Sequence, residues 1–283
     1  MTILVTGGNG QLGCALRLAS AESRYRYIFT DIDELDITSA KAIDEFFSKE
    51  KIDIVVNCAA YTAVDLAEEQ EAKAEEINHK AVALLAEACA QHSATLIHIS
   101  TDYIFSGENR KAYTEEDTPA PLNAYGRTKL AGEIAVAKSG CKSIILRTSW
   151  LYSEFGKNFV KTIRNLTATH KEIKVVADQF GTPTYAGDLA VAIVQIIEGG
   201  KYDKCGVYNY SNRGECSWHD FAVEIARESG NGNCKIHPCT TADYPTKAMR
   251  PRYSVLDKSK FMATFGIEIP AWQESLAECI KKF

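Results

Sequence analysis

Tyr125 and Lys129 lie four residues apart in Ala124-Tyr125-Gly126-Arg127-Thr128-Lys129-Leu130-Ala131-Gly132-Glu133. Alanine, leucine, lysine and glutamate dominate the residues after Tyr125, so the segment reads as a helix. On a helix the two side chains share a face. A phenol titrates near ~10 in water, and an adjacent ammonium favours the phenolate and lowers that value. A tyrosine tuned in this way can give a proton to a carbinol oxygen or take one from it. The same spacing also arises by chance, as a half-buried tyrosine followed by a surface lysine. The pair gains chemical meaning only beside a dinucleotide site and a third hydroxyl.

Both are present. Residues 2–6 form a short apolar strand that runs into Gly7-Gly8-Asn9-Gly10-Gln11-Leu12-Gly13, and residues 12–18 then show helical apolar spacing. Gly7 suits a tight turn, Gly10 lets backbone approach a pyrophosphate, and Gly13 lets helix pack on strand. The helix N-terminus beyond offers free N–H groups and positive dipole to phosphates. The second strand, 27–30, ends at Asp31, 18 residues past Gly13, where a carboxylate can accept both ribose hydroxyls of an adenosine. It would also repel a 2′-phosphate, and so favours NADH. Asp36 and Ile37 are expected beside the adenine. The third hydroxyl comes at the end of the strand 96–102, in Ser100-Thr101-Asp102. Ligands of open α/β sheets bind outside the carboxyl ends of strands, so Thr101 and Asp102 point into the expected crevice. There a hydroxyl can hold a substrate carbonyl for hydride attack while Tyr125 protonates the oxygen. A turn-forming Ser-Thr-Asp cluster is the plainer alternative.

The elements that must position these groups alternate. Strands are predicted at 2–6, 27–30, 54–60, 96–102 and 144–146, and helices at 39–49, 78–91 and from Tyr125. Ala59 and Ala60 leave room for a flat cofactor along the third strand end. The acidic run 65–76 reads as a solvated helix face. The β-α-β order implies a doubly wound parallel sheet of the Rossmann type, in the α/β class. After Trp150 the character changes, with helices at 157–170, 188–198, 218–229 (capped by Ser217) and from Trp272, and short strands at 175–177 and 207–210. Residues 1–155 are expected to form the dinucleotide-binding domain, with returning segments near 173–210. Residues 156–172 and 211–283 then make a smaller C-terminal substrate-binding lid, with no clean linker.

The 283 residues can bury a sizeable core, and 46% hydrophobic and 24% charged residues match an ordinary globular protein. A net charge of −5 and a pI near 5.8 argue against a nucleic-acid or anionic-membrane partner. No apolar run approaches the ~20 residues that span a bilayer. No basic leader precedes the first strand, which leaves the cytoplasm as the expected location. The nine cysteines are dispersed, odd in number and without Cys-x-x-Cys spacing, so they read as reduced thiols rather than a framework or zinc site.

Gly7/Gly10/Gly13, Thr101, Tyr125 and Lys129 together resemble the extended short-chain dehydrogenase/reductase superfamily. Closer blocks are Asn57-Cys58-Ala59-Ala60-Tyr61-Thr62-Ala63-Val64-Asp65, Ser100-Thr101-Asp102-Tyr103-Ile104-Phe105, Arg147-Thr148-Ser149-Trp150-Leu151-Tyr152 and Asp178-Gln179-Phe180-Gly181-Thr182-Pro183-Thr184. These are similar to the dTDP-4-dehydrorhamnose reductase family, and the resemblance covers nearly the whole chain. It implies an oxidoreductase of dTDP-rhamnose biosynthesis, reducing the C4 ketone of dTDP-4-dehydro-L-rhamnose with NADPH or NADH. Carried over by motif, Tyr125 is the proton donor, Lys129 its tuner and ribose clamp, and Thr101 the carbonyl binder. Gly10, Gln11 and Leu12 touch the pyrophosphate, Asp31, Asp36 and Ile37 the adenosine, and Ala60, Tyr61 and Thr62 the rest of the cofactor. Thr101, Asp102 and Trp150 line the sugar site. Arg250, with Arg252, is a candidate clamp for the substrate diphosphate, since a guanidinium matches phosphate oxygens bidentately. Magnesium at a dimer interface is implied by resemblance alone, and the chain is expected as monomer or homodimer. Rivals are a sugar-nucleotide epimerase or dehydratase and a non-catalytic subunit on the same fold. A dehydratase would carry Asp-Glu after the threonine, where this chain has Asp102-Tyr103.

Overall fold

The computed structural model describes all 283 residues. Its first half alternates as the apolar pattern dictates: β1 (Thr2–Thr6), α1 (Gln11–Ala19), β2 (Arg26–Thr30), α2 (Ala40–Glu50) and β3 (Ile54–Asn57). Two short helices come next, α3 (Val64–Ala67) and α4 (Glu71–Glu75). A π-helical turn over Glu76–Lys80 then leads into α5 (Ala81–Gln91), β4 (Thr95–Thr101), α6 (Ala124–Ser139) and β5 (Lys142–Thr148). Strands β1, β3 and β4 are almost wholly buried, as continuous apolar runs in a parallel sheet must be.

The second half adds β6 (Leu151–Tyr152), α7 (Phe159–Thr169), β7 (Glu172–Val176), β8 (Phe180–Gly181), β9 (Thr184–Tyr185), α8 (Ala186–Glu198) and β10 (Gly206–Asn209). It ends with β11 (Cys216–Ser217), α9 (Trp218–Glu228), β12 (Lys235–Cys239), α10 (Ser259–Phe265) and α11 (Trp272–Ile280). The central sheet has the order β10-β5-β4-β3-β1-β2, and every pairing in it is parallel. One face packs on α1, α8 and α10 through residues such as Leu16, Ile193 and Phe261, and the other on α2, α5 and α6 through Phe47, Leu85 and Val136. This is the doubly wound sheet expected. Its order reverses between β1 and β3, and the crevice at that switch point is where ligands bind.

A second layer has its own small core, with Tyr152, Val160, Phe221 and Trp272 in it, and only two-stranded pairs. The chain's return to the sheet differs from the expected 173–210. β7 pairs with β12 inside the second layer, while α8, β10 and the unforeseen α10 return to the sheet. Phe261 and Phe265 draw α10 back, because their rings pack on Tyr210 and Tyr208. No helix is long and apolar enough to cross a membrane, and all nine cysteines are free thiols.

α6 is tied to the sheet by a buried ion pair. Arg147, in β5, donates to both Glu133 carboxylate oxygens at 2.7–3.2 Å, and both side chains are about 5% exposed. Removing one partner of such a pair strands a buried charge. Glu133→Ala is expected to cost about 3–5 kcal/mol, read from the urea midpoint. A loss under ~1 kcal/mol, the worth of an exposed pair, would contradict this assignment.

Candidate active site

The glycine turn sits at the switch point. Gly7 has φ +64°, and a Cβ there would lie 2.7 Å from the Ala59 backbone nitrogen just past β3. A Cβ at Gly13 would strike the Gly7 carbonyl. Both positions therefore admit only glycine, the first because the chain must turn and the second because α1 must pack on β1. The turn ends at Gly10, the N-cap of α1, where no side chain caps the first N–H groups, a backbone arrangement that suits an anion. Gln11 reaches from this helix start to the second layer, accepting from Ser153 Oγ at 3.0 Å and Asn158 Nδ2 at 2.9 Å.

α6 is fixed at its start by Asn123, which accepts from the Gly126 N–H at 2.8 Å, and by Glu68, which accepts from the Ala124 N–H at 2.7 Å. A carboxylate suits the positive end of a helix. Farther along, Asn78 of the π turn donates to Thr128 Oγ1 at 3.2 Å, and its carbonyl lies so close to Gly132 that a Cβ there would collide. The same Asn78 side chain brackets the Tyr61 backbone, donating to its carbonyl and accepting from its N–H. One residue thus sets both the loop after β3 and the helix carrying Tyr125.

Tyr125 and Lys129 face the end of β4. Thr101 shares the cavity wall with Tyr125 and donates to Asp102 at 3.1 Å, and Lys129 Nζ donates to the Ile99 carbonyl at 2.6 Å. The lowering of Tyr125 expected from Lys129 is not found. Burial pushes its phenol up to about 12, against the lowering by Thr101. The ammonium is spent on the Ile99 carbonyl instead, and it is itself brought down to about 8 by burial, with Glu133 and Cys58 opposing. At neutral pH the phenol keeps its proton, the state of a donor.

A cavity of about 550 Å³ joins these groups. Gly10, Gln11, Leu12, Ala60, Thr62, Thr101, Asp102, Tyr125, Lys129 and Trp150 all line it. Gly7, Gly13 and Tyr61 are not among its lining residues. Asp31 stands at the edge of the turn, accepting from the Asn9 N–H at 3.0 Å. Asp36 is turned to solvent, its carboxylate taken by Thr38, and the Ile37 side chain is buried in the core under α2. Neither enters the cavity. No group of three or more His, Cys, Asp or Glu side chains is arranged to hold a metal ion.

The larger cleft, about 1020 Å³, contains none of the Thr101/Tyr125/Lys129 set, and the chemistry decides for the smaller one. Arg250 and Arg252 line the larger cleft. Arg250 is not a free clamp: its guanidinium grips Asp65 at 2.7 and 3.1 Å and donates to the Ala248 carbonyl at 3.2 Å. The acidic run read as a solvated face is a docking edge. Besides Asp65 and Glu68, Glu69 meets Lys247 and Glu71 meets Arg127.

The RmlD substrate binding domain family matches residues 1–283. A dTDP-4-dehydrorhamnose reductase from Aggregatibacter actinomycetemcomitans is 41% identical, over 97% of this chain and 96% of its own. The chain belongs to the dTDP-4-dehydrorhamnose reductase family. Among solved structures, a reductase of this family from Clostridium acetobutylicum superposes with TM-score 0.95 at 45% identity, covering 100% of this chain and 99% of its own. One from Bacillus anthracis, in complex with NADP, gives 0.94 at 37% identity with the same coverage.

Sequence reasoning missed Trp218, Asn158 and Asn78. Trp218 stacks on Trp150 with ring centroids 3.5 Å apart, and Trp150 holds φ +47° to do so. Trp218 lies at the start of α9, and nothing in its spacing announces a partner 68 residues earlier. The asparagines carry a weak sign, since polar residues inside apolar helical patterns need partners.

Asp102 is 2% exposed and one carboxylate oxygen lacks a partner, so burial lifts it to about 6, partly opposed by Ser254 and Thr101. Its folded value lies above that of a free carboxyl, so protonated Asp102 stabilises the fold at low pH, and this contribution is lost as pH rises through about 6. Asp102→Asn is expected to gain on the parent by roughly 2–3 kcal/mol between about pH 4 and 7, read from denaturant midpoints. A difference that does not change with pH would contradict the burial.

Proposed function

We propose that this chain reduces the C4 ketone of dTDP-4-dehydro-L-rhamnose to dTDP-L-rhamnose with NADH or NADPH. The meeting of Thr101, Tyr125 and Lys129 in one cavity with the glycine turn carries the reading, and family membership supports the substrate. The nicotinamide supplies hydride. Thr101 holds the carbonyl oxygen, and Tyr125, protonated at neutral pH, gives its proton to that oxygen as charge builds there. Lys129, adjacent on α6, stabilises the phenolate left behind and takes the cofactor ribose once the Ile99 carbonyl is exchanged for it.

Gly7, Gly10, Gln11, Leu12 and Gly13 form the pyrophosphate cradle, and Asp31 with the 36–37 backbone borders the adenosine. Ala60, Tyr61 and Thr62 flank the nicotinamide half. Asp102 and the stacked Trp150–Trp218 pair wall the sugar, and the second layer acts as the lid. Arg250 grips Asp65 rather than the diphosphate, because its guanidinium is already paired. On this reading the protein works in the cytoplasm, as monomer or homodimer, without nucleic acid or membrane.

Tyr125→Phe is expected to cut turnover by about 10²–10⁴ while cofactor affinity stays within a few-fold. Unchanged turnover would remove Tyr125 from its role. Lys129 is charged below about 8 and loses its charge above it. Turnover of the parent should therefore fall as pH rises past about 8, and a flat alkaline limb to the rate profile would contradict the part given to Lys129.

A further inference from the structure

We propose that Lys157 is a binding residue for the cofactor's diphosphate, reaching it from the second layer across the cavity from the glycine turn. The inference rests on the reductase reading and its cofactor cradle. Residues 7–16, 31–40 and 58–64, which frame the crevice on the sheet side, contain no lysine or arginine. The cradle therefore offers an anion only backbone N–H groups and the α1 dipole. Of the residues lining the cavity, Lys129 and Lys157 alone are cations. Lys129 is spent on the Ile99 carbonyl at 2.6 Å, beside Tyr125 on α6. Lys157 is the cation left for the diphosphate.

Its place is fixed by the residues on either side. Gly156 has φ +60° and packs against Gln11, where a Cβ would stand 3.3 Å from Gln11 Cγ. Asn158 donates to Gln11 Oε1 at 2.9 Å. Gln11 is the first residue of α1, so both neighbours of Lys157 meet the helix start on which the diphosphate rests. Asn158 also caps α7, accepting from the Lys161 N–H at 3.1 Å, and with Phe159 it lines the cavity. The positive end of the α7 dipole thus opens on the same space as that of α1.

The ammonium itself is uncommitted. Lys157 is exposed and joins no ion pair. Glu154, just upstream, is taken by Lys282 at 3.3 Å and by the Tyr185 hydroxyl at 3.1 Å. Lys161, one turn into α7, lies over the Phe283 ring. The one carboxylate lining the cavity, Asp102, accepts from Thr101. A point charge on a flexible four-carbon stem can follow a phosphate oxygen from an exposed position. The pairing is partly solvated, so it is modest in strength and screened by salt.

Calorimetric titration of the full chain with NADH, NADPH, ADP-ribose and dTDP, each alone, tests this apart from turnover. Lys157→Gln is expected to raise the Kd of NADH, NADPH and ADP-ribose by one common factor of about three to ten, because all three share the diphosphate. The factor should shrink as salt is added. Lys157→Glu should weaken all three by about tenfold or more, and Lys157→Arg should stay within about twofold of the parent. The diphosphate of dTDP belongs to the sugar nucleotide, and its Kd should change by less than about twofold. Unchanged dinucleotide binding in Lys157→Gln and Lys157→Glu would overturn the inference. So would a loss confined to NADPH, or a loss for dTDP as large as that for the dinucleotides. If neither dinucleotide bound the parent, the reductase reading itself would fall, and this inference with it.

Discussion

Lys129 is a cation taken out of water, and the active site is arranged around what that costs. A buried ammonium loses hydration worth several kcal/mol unless other groups answer it. The Ile99 carbonyl answers directly at 2.6 Å, and Glu133, one turn farther along α6, answers through space. Glu133 is kept in place by Arg147, so the order of β5 reaches the site through an ion pair. The neighbours are neutral for the same reason. Burial and the Lys129 charge drive His98 well below its ordinary range, and burial keeps Cys58 a thiol. His98 also anchors a buried chain through Asn57 to Thr6, which ties β4, β3 and β1 together under the crevice.

The second layer and the segment 247–250 are coupled to this site by polar contacts at two places. Gln11 joins the cofactor cradle to Ser153 and Asn158, and the segment 247–250 is strapped to α3 and α6 by Asp65, Glu69 and Asn123. The less exposed part of that strap matters most. Asp65 and Arg250 are partly shielded, whereas Lys247 and Glu69 are largely exposed and contribute little. Near the strap, Tyr103 packs edge-on against the ring of Tyr125.

Much of this was legible in the residues, because the strongest constraints are local. Gly7 and Gly13 announce the turn, Thr101 ends its strand where the crevice must lie, and Tyr125 and Lys129 share a helix face by spacing alone. What stayed hidden depends on partners distant in sequence. The acidic run 65–76 has the composition of a solvated helix, and only the fold brings Arg250, Lys247 and Arg127 onto it. Arg250 looked free for a diphosphate because its partner lies 185 residues away. Ile37 looked available to an adenine, but its neighbours Leu35 and Phe47 pull it into the core. The Tyr125 value failed for a different reason: spacing predicts proximity to an ammonium, while burial, which spacing does not report, dominates.

The central claim is a net reduction of a sugar ketone by a cofactor that leaves oxidised. The most direct measurement incubates the protein with dTDP-4-dehydro-L-rhamnose and a reduced nicotinamide dinucleotide. It tracks the near-ultraviolet absorbance of the reduced ring against sugar product. One dinucleotide oxidised for each sugar reduced is the predicted result. Conversion of the sugar with no net loss of that absorbance, as an epimerase that regenerates its cofactor would give, would contradict the account.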